Sequence, residues 1–149
     1  MFAELCCTSN FTFLTGASHP EELVCRAAEL HYAGLALTDE ASVSGSVRAH
    51  LAAESCQISL LHGAFFQTDE AISLTLLAPN RDAWGDLCQL ISLARRRADK
   101  GSYRLSRRDL AGRCESLLCL WHPEAGTLNW TTQIEMLQHA FRGRFWIAA

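Results

Sequence analysis

The chain has 149 residues, of which 49% are hydrophobic and 19% charged, with a formal net charge of −3 and a pI near 6.0. That length and balance fit one globular domain with a real core and exclude an intrinsically disordered chain. The slightly acidic total gives no general attraction to nucleic acid, so any such contact must come from a local patch.

Residues 2–6 read as a first strand, followed by a polar and aromatic loop over 7–17. Cys6 and Cys7 would point to opposite faces of that strand, which places them poorly to share one metal. Ser18 and Glu21 have capping-box spacing, with Pro20 in the first turn and Leu23, Val24, Ala27, Ala28 and Leu30 as an apolar face. This predicts a helix that Gly34 stops. Residues 35–37 form a second short strand that ends on Thr38, Asp39 and Glu40 and passes through small residues into a helix beginning near Ser42. Val47, Leu51 and Ala52 supply the apolar face of that helix. Residues 58–66 predict a third strand, interrupted at His62 and Gly63, and residues 72–78 a fourth, joined to the third as a hairpin across 67–70.

A longer helix is expected over 81–98, burying Trp84, Leu87, Cys88, Ile91 and either Leu93 or Ala94. A short capped helix over 106–110, a strand over 116–121, a helix over 131–140 and a closing strand over 144–148 complete the chain. The order β-α-β-α-β-β-α-β-α-β implies an α/β fold with a largely parallel sheet.

Three strand ends then carry the candidate chemistry: Cys6 to Thr8, Asp39 with Glu40, and His62 to Phe66. In a parallel sheet such ends emerge on one edge, where ligands bind because the loops vary over a rigid base. Asp39 and Glu40 could belong to a site, or Asp39 could cap the helix that follows. The supply of metal ligands is thin: Asp39, Glu40, Cys6 and His19, with no compact Cys-x-x-Cys or His-x-His pair. His19, His31, His50, His62, His122 and His139 read individually as surface or hydrogen-bonded core residues. No glycine-rich phosphate loop and no nucleophile elbow is present.

Eight of the 13 basic residues lie between Arg95 and Arg113, namely Arg95, Arg96, Arg97, Lys100, Arg104, Arg107, Arg108 and Arg113, opposed there only by Asp99 and Asp109. The part from Arg95 to Arg108 suits a nucleic-acid or interdomain contact, and its first three arginines equally suit the negative pole of the preceding helix. Seven cysteines, an odd number, with no signal-peptide pattern fit a reducing cytoplasm. Cys25, Cys56, Cys88, Cys114 and Cys119 lie in apolar surroundings and read as small buried hydrophobes. No apolar run approaches the roughly 20 residues of a membrane span.

The run from Glu4 to Leu23, the segment Ala36-Leu37-Thr38-Asp39-Glu40 followed by Ser44-Gly45, and the stretches 80–81, 87–98 and 100–105 together resemble the opening of error-prone bacterial C-family DNA polymerases. The resemblance covers nearly the whole chain. It implies the N-terminal part of a polymerase-and-histidinol-phosphatase (PHP) domain, a partial distorted β/α barrel, without polymerase palm, fingers or thumb. It also implies a parent enzyme, a nucleotidyltransferase, that performs translesion synthesis in DNA damage-induced mutagenesis, with DNA contacted through that parent.

Metal-binding members of the family carry a His-x-His pair where this chain has Cys6-x-Thr8, a Thr-Asp-His where it has Thr38-Asp39-Glu40, and a Gly-x-Glu-Phe where it has Gly63-Ala64-Phe65-Phe66. Cys6, Thr8, Asp39, Glu40 and Phe65 are therefore expected to be vestigial metal-site positions, with no metal held and Asp39 kept for helix capping and loop hydrogen bonds. The expected role is a structural scaffold whose partner is the remainder of the polymerase or a polymerase partner. The rival readings are a small Zn- or Mn-dependent phosphoesterase using Asp39, Glu40 and Cys6, and a stand-alone module that docks on a polymerase. A truncated barrel of this kind would expose strand edges and favour self-association.

Overall fold

The computed structural model describes residues 2–124 and 130–148. Its elements follow the predicted order: β1 (Ala3–Cys7), α1 (Pro20–Glu29), β2 (Gly34–Leu37), α2 (Ser46–Cys56), β3 (Ser59–Gln67), β4 (Ser73–Ala78), α3 (Arg81–Arg96), α4 (Arg107–Leu110), β5 (Leu118–His122), α5 (Trp130–Ala140) and β6 (Phe145–Ile147). The strands make one six-stranded sheet in sequential order, curled as half of a barrel. The β1–β2, β2–β3 and β5–β6 pairings are parallel, whereas β4 runs antiparallel to both β3 and β5. The reversal arises at the predicted hairpin. There the Thr68 N–H donates to Ile72 O, the Ile72 N–H donates to the Thr68 hydroxyl, and Ala71 takes a positive φ of 56°.

The two faces of the sheet are packed unequally. Leu35 and Leu37 of β2 lie against Val24 and Ala27 of α1 and Ala49 and Ala53 of α2. Ala64, Phe66, Leu74, Leu76, Cys119 and Trp121 meet the buried line Ala83, Leu87, Leu90 and Ala94 of α3. Burying a leucine such as Leu87 or Leu90 stabilises the fold by about 1.5–3 kcal/mol each. The opposite face buries the apolar Ala36, Leu77 and Leu120 and the polar Thr75, with Leu5, Leu61 and Leu118 half covered. This is the concave face of the half-barrel.

Several sequence expectations are corrected by local geometry. The N-cap of α1 is His19, not Ser18: the His19 N–H donates to Glu22 Oε2 at 2.8 Å, while the Ser18 carbonyl accepts from the Asn10 N–H and so belongs to the preceding loop. Helix α1 ends at Glu29, and Gly34 opens β2 where a Cβ would approach Ser59 O to 3.1 Å.

Helix α2 begins at Ser46, because Ala41 still pairs with β3 through its N–H to Phe65 O. Gly45 is its N-cap, so Asp39 caps nothing. Its buried side is Ser46, Ala49 and Ala53, whereas Val47 and Leu51 are exposed: close approach to α1 selects small side chains and turns the large ones outward. Strand β3 runs through His62 and Gly63 without a break. A Cβ at Gly63 would sit 2.7 Å from Leu76 O and from Leu77 Cδ2, so glycine there permits β4 to close on β3. On α3 it is Ala94 that is buried, not Leu93.

Candidate functional site

The strand ends do converge, and the chain's own hydrogen bonds fill the space between them. After β1 the chain turns through Ser9 and Thr12, both buried. The Ser9 N–H and the Thr12 hydroxyl donate to Asp39 Oδ1 at 2.9 and 2.8 Å, and the Ser9 hydroxyl donates to Oδ2 at 2.7 Å. Asp39 is 1% exposed, so this carboxylate is balanced by three aligned donors in place of water. Glycine at position 16 makes the loop possible, because a Cβ there would lie 2.0 Å from Ser9 O.

Glu40 is engaged in the same way one residue on. Its N–H donates to the Thr12 hydroxyl, and Phe65 bridges to it as a parallel extension of the sheet. Tyr103, from the loop after α3, donates its hydroxyl to Glu40 Oε1 at 2.9 Å and accepts from the Gln67 N–H. Burial, reinforced by the Glu40 carboxylate against the Gln67 N–H, pushes the Tyr103 phenol up to about 12, so it stays a donor. Arg95 donates to the carbonyls of Ala41, Glu40 and Ser102 at 3.1, 3.1 and 3.3 Å and lies over the Tyr103 ring. An open cleft of about 840 Å³ adjoins this cluster, with Phe11, Phe13 and Val43 on its wall.

On the concave face a second group forms around Cys6. Its Sγ lies 3.9 Å from His122 Nε2 and 4.0 Å from Thr75 Oγ1, and the latter two are 2.9 Å apart. The Phe65 ring stands edge-on to His122 at 5.8 Å. Cys7 faces the other way, into the α1–α2 layer, as the strand alternation predicts. Thr8 is half-buried at the start of the loop. His19 is at the head of α1, its Nδ1 2.8 Å from Asn10 Nδ2.

Among the described residues no three His, Cys, Asp or Glu side chains are disposed to hold a metal ion. Asp39 and Glu40 accept from hydroxyls of the same chain, and Phe65 bridges to Glu40 through the backbone while its ring packs against His122. His122 and Tyr103 were missed as site residues in the sequence. His122 directly follows the strand predicted over 116–121 and closes the observed β5, whereas Tyr103 sits in a loop that carries no such signal.

Two half-buried histidines tie stability to pH. Burial holds the His122 imidazole below its usual value of 6.5, and burial followed by the charge of His50 does the same for His62, whose Nδ1 is buried without a hydrogen-bond partner. The unfolded chain then takes up protons at a pH where the folded chain does not. Stability is complete above about 6.5 and falls as the pH drops through the lowered folded values. Urea midpoints should decrease between about pH 7.5 and about pH 5.5, and less so in the double variant His62→Gln, His122→Gln. A midpoint constant over that range would refute the assignment.

The basic cluster divides. Arg95 is committed as described. Arg97 pairs with Asp109 at 2.7 Å, Arg104 with Asp69 at 3.3 Å and Arg107 with Glu70 at 4.0 Å. Burial pushes the Asp109 carboxyl up, but the Ser106 N–H, Arg97 and the Ser106 hydroxyl outweigh it and hold it below the usual carboxylate range. Arg96, Lys100, Arg108 and Arg113 are exposed, and they form no ion pair among the described residues. No helix among the described residues is long and apolar enough to cross a membrane.

These features can be set beside known proteins. The chain is similar to an error-prone DNA polymerase of Dechloromonas aromatica, with 49% identity over 99% of this chain and 15% of that relative, and to one of Alkalilimnicola ehrlichii, with 54% identity over 83% of this chain and 12% of that relative. It thus spans about one seventh of the length of the curated relatives it matches. The fold is shared with an amidohydrolase from Chromobacterium violaceum at a TM-score of 0.63 and 17% identity, covering 97% of this chain and 74% of that one. It is shared equally with a Bifidobacterium adolescentis protein described as a candidate metal-dependent phosphoesterase, at a TM-score of 0.64 and 14% identity, covering 92% and 74%. The PHP domain model matches residues 4–140, which contain every strand-end residue described above, and this chain belongs to the PHP domain family.

Proposed function

We propose that this chain is the PHP portion of an error-prone DNA polymerase, that the parent acts in translesion synthesis and damage-induced mutagenesis in the cytoplasm, and that this portion serves it as a metal-free scaffold. The polymerase reading rests on the two in-order relatives; the scaffold reading rests on one observation. Asp39 and Glu40, the carboxylates at the sheet edge, are bound by Ser9, Thr12 and Tyr103 of the same chain. Three short hydrogen bonds take up three of the roughly four acceptor sites of the Asp39 carboxylate and hold it toward the loop, which leaves it little to offer a cation. In this reading the loop after β1 is a strut that locks β1, β2 and β3 together. Catalytic carboxylates of nucleotide transfer belong elsewhere in the parent, and the face that this portion offers to DNA is Arg96, Lys100, Arg108 and Arg113.

Elemental analysis of the purified chain and of its parent tests the scaffold. Zinc and manganese should each stand far below one equivalent after dialysis against metal-free buffer. About one equivalent of either that disappears in Asp39→Asn would establish the metal-dependent phosphoesterase reading instead.

A further inference from the structure

Two cysteines 31 residues apart meet where α1 packs on α2: Cys25 Sγ and Cys56 Sγ are 3.1 Å apart. Both are half-buried and free. Their approach is built into the helix pair. One turn before Cys25, Glu21 pairs with Arg48 of α2, and Cys56 follows Arg48 by two turns. The two contacts advance in the same direction along both helices, as neighbouring parallel crossovers of a β/α sheet require. Beneath them Val24, Ala27, Ala49 and Ala53 are between 0% and 5% exposed, so neither helix can rotate its cysteine away without opening the core. Gln57, left-handed at φ 53°, closes α2 directly after Cys56 with its N–H on Ala53 O.

The remaining cysteines lack this arrangement. Cys114 and Cys119 are buried out of reach, Cys6 and Cys7 face opposite sides of the sheet, and Cys88 lies on α3. A disulfide needs its sulfurs about 2.0 Å apart, so the pair closes with roughly an ångström of side-chain movement.

We propose that Cys25 and Cys56 are a dithiol modification site, oxidised by a small-molecule disulfide of the glutathione type to an intramolecular disulfide that joins α1 to α2. One cysteine thiolate attacks a sulfur of the small disulfide, forming a mixed disulfide and expelling one thiolate. The second cysteine thiolate attacks the protein sulfur of that mixed disulfide and expels the other. Two cysteine thiols are oxidised, one small disulfide is reduced to two thiols, and the two cysteine protons pass to the departing thiolates.

The test exposes the full chain to glutathione disulfide under native conditions, alkylates the remaining thiols and maps peptides by mass spectrometry. The expected product has lost two of the seven free thiols, carries a dominant Cys25–Cys56 cross-link, melts about 5–10 °C higher and reverts with dithiothreitol. In Cys25→Ser the cross-link is absent and Cys56 stops at the mixed disulfide. Stable glutathione adducts on both cysteines of the unaltered chain, or cross-links scattered over the cysteines as in the urea-unfolded chain, would overturn the proposal.

Discussion

Asp39→Ala is expected to lower the free energy of unfolding by about 3–5 kcal/mol, which is a large part of a domain's margin. The substitution removes one carboxylate but strands three buried donors, the Ser9 N–H, the Ser9 hydroxyl and the Thr12 hydroxyl. Each buried donor left unpaired costs about 1–3 kcal/mol, and water enters the space only if the loop opens. The loop has little freedom to adapt, since Gly16 packs directly on Ser9 and the Gly16 N–H is bound to Thr12 O. Asp39→Asn keeps the volume and one acceptor, and should cost about half as much. Urea unfolding followed by tryptophan fluorescence reads both variants. A ligand residue would behave differently: the loss would appear only in metal-loaded protein, and chelator-treated Asp39→Ala would match the unaltered chain. That pattern would remove the strut.

The second large effect separates two kinds of arginine. Arg95→Ala should destabilise the chain by about 2–4 kcal/mol, because three carbonyls and the Tyr103 face lose a fixed planar donor. Arg95→Lys should recover less than half of that, since an ammonium cannot span the same three acceptors. Both variants should leave the DNA affinity of the folded full-length enzyme unchanged. The pair Arg96→Glu and Arg108→Glu should do the reverse: little change in stability, with weaker DNA binding and a salt dependence shallower by about two phosphate contacts. An unchanged salt dependence in that double variant would take DNA contact away from this face and leave an interdomain role.

The architecture was readable in the chain because its signals are local. Apolar runs bounded by turn residues gave six strands in the right order, and the hairpin between β3 and β4 followed from two adjacent runs with the polar residues 67–70 between them. Where the expectation failed, a long-range contact had overridden a local preference. Val47 and Leu51 have the helical spacing of a buried face, yet α1 lies so close to α2 that only Ala49 and Ala53 fit between them. Cys25 and Cys56 look like separate small hydrophobes and turn out to be partners.

For the strand-end cluster, sequence alone determined which residue types stand there: Cys6, Thr8, Asp39, Glu40 and Phe65, a set poor in ligands. Their disposition came only from tertiary structure. Whether Asp39 caps a helix or anchors a loop depends on donors 27 and 30 residues away, and no spacing rule reaches across that distance. The fold decided it by closing the Ser9–Thr12 loop over a buried carboxylate, where each donor left unpaired would cost more free energy than local capping could return.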